Sequence, residues 1–71
     1  MANDETIKLG TLLNYWIEHN EEHGEEFREE AEKIKSVEPG VADELLQAAG
    51  EMDKATRHLV TARELLEKKE V

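Results

Sequence analysis

One proline, Pro39, falls near the middle of the chain in the run Ser36-Val37-Glu38-Pro39-Gly40, and it limits the fold more than any other feature. A proline drives the residue before it out of the helical region, and the glycine beside it adds flexibility, so a single long helix cannot run through this point. The two arms on either side are nearly equal. In the first, Leu9, Leu12, Leu13, Trp16, His23, Phe27, Ala31 and Ile34 recur at steps of three and four, the period of an amphipathic helix. In the second, Val41, Leu45, Ala48, Met52, Ala55, Leu59, Ala62 and Leu66 do the same. No stretch alternates with a period of two, and Glu, Lys, Leu and Ala dominate, so strands have no support.

The expected fold is therefore all-α: one antiparallel two-helix hairpin over residues 1–71, with helix one at about 5–36, the turn at about 37–40 and helix two at about 41–69. Asn3 or Asp4 can cap the first helix, and Lys33 and Lys35 suit its last turn. Pro39 suits the first position of the second helix, with Asp43 and Glu44 after it and Lys68 and Lys69 at the far end.

A chain of 71 residues and 8.1 kDa forms one small domain, and a lone hairpin buries little apolar surface against the entropy of ordering it. A partner surface is expected. Gly10, Ile17, Gly24 and Ala31 stand at seven-residue spacing on one flank of helix one beside Leu13, and Leu46, Ala49, Thr56 and Val60 take the matching flank of helix two. Small residues allow helices to approach closely. This flank is the expected self-association seam, giving a homodimer arranged as a four-helix bundle.

Net charge sets the outer limits on function. With 18 Asp+Glu against 9 Lys+Arg the chain carries −9, which argues against nucleic acid and against an anionic membrane surface as partners. The absence of cysteine excludes thiolate zinc sites and thiol catalysis. The most apolar run, residues 9–17, contains Gly10, Thr11 and Asn14, so it reads neither as a membrane span nor as a secretory signal, and a cytoplasmic location is expected.

The first helix carries Glu18, Glu22, Glu26 and Glu30 at steps of four, with Glu21, Glu25 and Glu29 as a second column. All three histidines lie in or opposite this acidic face. His19 and His23 are four residues apart, so both rings leave one side of the helix and can hold one metal ion between them. With the turn centred near Glu38, residues whose numbers add to about 77 face each other, which sets His19 opposite His58 and Glu26 opposite Glu51. Imidazole with carboxylate suits Zn²⁺, Ni²⁺ or Co²⁺.

The function expected from these residues is non-enzymatic binding of a divalent transition metal, Zn, Ni or Co. Its ligands are drawn from His19, His58, His23, Glu22, Glu26 and Glu51. No phosphate loop, HExxH motif or nucleophile elbow occurs, and an open helical face offers no water-excluding cavity for turnover. The alternative is a structural or interaction module, a homodimeric bundle presenting its acidic face to a basic protein partner. The segment Trp16-Ile17-Glu18-His19-Asn20-Glu21-Glu22-His23 followed by Phe27 resembles small uncharacterised two-helix modules of archaea and bacteria. Some of those accompany metal-ion transport or cobalt and nickel handling, so the resemblance implies a metal connection at the matching positions His19 and His23.

Overall fold

The computed structural model describes residues 4–69 as two helices packed side by side, α1 (Asp4–Ile34) and α2 (Pro39–Lys69). The Asn3 cap lies outside the described residues. Each helix has 31 residues, about 46 Å at a rise of about 1.5 Å per residue. Asp4 and Glu5 occupy the first turn of α1 and Lys33 its last, each charge opposing the helix dipole end beside it.

The turn lies two residues earlier than the sequence places it. The Ile34 carbonyl accepts hydrogen bonds from the backbone N–H of Val37 at 3.0 Å and of Glu38 at 2.8 Å, which closes α1. The Glu38 carbonyl then accepts the first bond of α2, from Ala42 N–H at 3.0 Å. Pro39 is the first helical residue, where a missing N–H leaves no bond unmade. Gly40 sits inside α2, without the positive φ that a glycine turn uses.

The hairpin closes on small residues. Leu13, Ile17, Gly24 and Ala31 are buried on α1, and Ala42 and Ala49 on α2, with Ala31 at 1% and Ala49 at 0% exposure. Half-buried Gly10, Asn20, Phe27 and Ile34 continue the α1 row, and Leu45, Met52, Thr56, Leu59, Arg63 and Leu66 the α2 row. Both rows step alternately by three and four residues, the repeat of a coiled-coil seam. Pairing across the seam is antiparallel: Gly10 faces Leu66, and Arg63 donates a hydrogen bond to Asn14 at 2.9 Å. This is the register expected from a turn near Glu38.

The seam corrects the proposed dimer flank. Leu13, Ile17, Gly24, Ala31 and Ala49 are buried in a single chain, and Gly10 faces α2, so these six hold the hairpin together instead of offering an outer surface. Leu46 (49% exposed) and half-buried Val60 lie to one side of it. The physical reason is that two helices remove most surface from water where their axes come closest, and residues without bulk allow that approach. The larger side chains read as core are displaced outward. Trp16 is 39% exposed, and Leu9, Leu12 and Val41 are exposed as well.

The glycines are not equally constrained. A Cβ at Gly50, in the interior of α2, meets nothing within 4 Å. Gly50→Ala therefore raises stability by about 0.5–1 kcal/mol, through helix propensity alone, measurable as a higher urea midpoint at unchanged slope.

The ion pair Arg28–Asp53 joins the helices across 25 residues, with side chains 45% and 51% exposed. At that exposure water screens the pair, so Asp53→Asn lowers stability by no more than about 1 kcal/mol in the same measurement.

Candidate functional site

Beside the buried seam runs a second stripe. Leu9, Leu12 and Trp16 are spaced by three and four, each one residue before Gly10, Leu13 and Ile17, so they occupy the adjoining face of α1. On α2 the adjoining positions are Val41, Ala48, Ala55 and Ala62 at seven-residue steps, with Leu65 beyond them. Leu9, Leu13, Ala62, Leu65 and Leu66 line a groove of about 290 Å³ between the free ends of the helices. Leu65 is 57% exposed.

The face changes character along its length. Towards the free ends it is apolar, with Leu9, Leu12, Trp16, Ala62 and Leu65. Towards the turn the same rows carry Glu26, Glu30, Glu44 and Glu51, all exposed. The exposed leucines and tryptophan share the helical period of the core, so periodicity alone does not separate them from it. The signal that could have separated them is the second alanine row, which repeats Ala48, Ala55 and Ala62 every seven residues, parallel to Ala42 and Ala49.

His19 and His23 lie between the two zones. Their Nε2 atoms are 2.9 Å apart and their ring planes cross at 85°, with centroids 4.3 Å apart. Tyr15 stacks on His19 at 5.4 Å and Phe27 on His23 at 6.1 Å, so four rings at four-residue steps form a ladder along α1. The Glu26 carboxylate is 4.0 Å from Nδ1 of His23.

The rest of the proposed ligand set is not gathered here. His58 comes to the level of His19 but stands exposed on the outer shoulder of α2. Glu51 is paired with Lys54 at 3.1 Å, and Glu22 is exposed. Among the described residues, no three of His, Asp and Glu converge as a metal group. The reason is geometric: equal height along an antiparallel pair brings two side chains together only beside the seam, and His19 and His58 each lie one position further out.

Residues 9–66, from the first leucine of the apolar face to the last residue of the seam, match the model of a domain of unknown function, DUF8180. The chain belongs to the DUF8180 family. An uncharacterized protein of Archaeoglobus fulgidus is 50% identical over 42 residues, which cover 59% of this chain and 68% of that one. No solved structure matches this DUF8180 chain. Among its described residues, no helix is long and apolar enough to cross a membrane.

Proposed function

We propose that this DUF8180 hairpin is a non-enzymatic interaction module of the cytoplasm that works as a homodimer, two hairpins forming a four-helix bundle. The supporting observation is the exposed apolar face of Leu9, Leu12, Trp16 and Leu65 with the small residues Ala55 and Ala62 among them. Alanines let a second helix pair approach, and the leucines and tryptophan supply the area it covers.

The occupant is a second copy of the chain, on the ground of area. A compact monomer of 8.1 kDa exposes about 4,500 Å² on the usual mass scaling, whereas this hairpin exposes 5573 Å². The excess, on the order of 1,000 Å², comes with the elongated shape of 55 × 14 × 12 Å, which leaves one long face able to give up the roughly 800 Å² per partner of a standard interface. A two-fold axis across the apolar half brings like surface against like and leaves the Glu26, Glu30, Glu44 and Glu51 ends pointing apart. A parallel arrangement would stack those carboxylates on each other. The outward glutamates of α1 stay free in the dimer for a basic protein partner.

Trp16, the only tryptophan, reports on this reading. Its emission maximum moves to longer wavelength on dilution from about 100 µM to about 10 nM as the dimer separates and the indole meets water. An emission maximum constant over that range and already that of a water-exposed indole would contradict it.

A further inference from the structure

We infer that His19 and His23 form a two-imidazole chelate for a Ni²⁺ or Cu²⁺ ion, held on α1 alone and needing no ligand from a second copy. Two ring nitrogens 2.9 Å apart share one proton, which one Nε2 donates and the other accepts. The Glu26 carboxylate lies 4.0 Å from Nδ1 of His23, beyond hydrogen-bond distance but on the side of the ring away from the paired Nε2 atoms. A neutral imidazole that carries its proton on Nδ1 presents a free Nε2, so both rings can turn their Nε2 atoms to one ion without losing charge.

The spacing of the free pair lies nearer to the coordination edge of some ions than of others. With metal–nitrogen bonds of about 2.0–2.1 Å, two nitrogens about 2.9 Å apart subtend about 90° at the metal. That is a cis edge of a square-planar or octahedral shell, the preference of Cu²⁺ and Ni²⁺. A tetrahedral Zn²⁺ edge is wider, about 3.3–3.4 Å. The remaining coordination positions face solvent, since His19 is exposed and the His23 side chain is 39% exposed, and water fills them.

Two further features prepare the pair. Stacking on Tyr15 and Phe27 restricts the rings before the ion arrives, so less rotamer freedom is lost on binding. Glu18, Glu22 and Glu25 are exposed within about one turn and raise the local cation concentration without needing to ligate. His58 and Glu51 take no part, which narrows the six-residue set expected from sequence to two ligands, with the Glu26 carboxylate beside them.

Titration with NiCl₂, followed by calorimetry and by the histidine ring signals in NMR, tests the chelate on the full chain. One Ni²⁺ per chain is expected. His19→Ala and His23→Ala should each weaken binding by at least about 100-fold and Glu26→Gln by about 10-fold, with His58→Ala unchanged. Far-ultraviolet circular dichroism checks that each variant keeps its helices. The Leu12→Lys/Leu65→Lys variant, altered on the proposed dimer face, should bind Ni²⁺ like the wild type, so loss of the dimer reading and loss of the chelate are separable results. Absence of saturable uptake, or uptake unchanged by His19→Ala, would overturn the inference and leave only counter-ion attraction by the glutamates. A loss in His58→Ala equal to that in His23→Ala would overturn the two-histidine set.

Discussion

Ala49→Leu destabilises the hairpin by about 3 kcal/mol, the upper part of the range for overpacking a closed site. Ala49 has 0% exposure and lies on the seam row of α2, level with half-buried Phe27 of α1 in the antiparallel register. Three added carbons have nowhere to go unless the helices separate, and separation also uncovers Ala31 and Ala42, which are nearly as buried. A chain this short holds little stability in reserve, so most of the cooperative transition is lost. The check is thermal unfolding by circular dichroism: a fall of the midpoint by 10 °C or more is expected, since about 1 kcal/mol shifts a domain of this size by roughly 4–8 °C. Ala62→Leu, on the open face, serves as the contrast and should leave the midpoint within a few degrees at a concentration where the chain is monomeric. If Ala49→Leu were as mild, the alanine seam would not be what closes the hairpin.

The second large effect concerns association. In the proposed bundle Leu12 and Leu65 lie inside the interface, so Leu12→Lys with Leu65→Lys places two ammonium groups per chain in an apolar contact. Removing such a charge from water without a partner costs several kcal/mol, and the isologous interface doubles the effect because each chain contributes both positions. A weakening of the dimer by more than about 1000-fold is expected, each 1.4 kcal/mol being about tenfold. Gel filtration with light scattering at 50 µM should then return 8.1 kDa for the variant, with helical content retained because both leucines are already exposed in the hairpin (44% and 57%). A variant that kept the mass of the wild-type dimer would move the interface elsewhere, with exposed Ile7 and Leu46 on the other shoulder the next surface to examine.

Much of the fold is legible from a few residues. Pro39 divides the chain because its geometry forbids the preceding residue a helical conformation, and the three- and four-residue steps on each side admit only helices. The antiparallel register follows from a short turn, and Asn14 with Arg63 meets it. What could not be read was which of two adjoining stripes closes the pair. Hydrophobicity favours the stripe with Leu9, Leu12 and Trp16, whereas close approach favours Gly10, Gly24, Ala31, Ala42 and Ala49, and the second effect wins. Residue size at seven-residue spacing carries that information, since it marks the seam of the hairpin and not an outer dimer flank.

The site was legible in part for the same reason. His19 and His23 are four apart on one helix, so their meeting depends on local geometry that sequence fixes directly. His58 lies on another helix, and its height along the pair could be inferred while its angle about the α2 axis could not. His19 and His58 lie one heptad from Leu12 and Leu65 on the same face, but on its outer edges, where side chains at equal height stand apart. Trp16, one residue before Ile17 of the seam, is likewise exposed.

Sedimentation equilibrium of the wild-type chain across about 1–200 µM tests the central claim most directly. A mass that rises from 8.1 kDa towards twice that value, with one dissociation constant fitting every concentration, is the result expected of a second copy docked on the Leu9, Leu12, Trp16 and Leu65 face. A mass of 8.1 kDa at every concentration would contradict it, and the apolar face would then have to be assigned to a different protein.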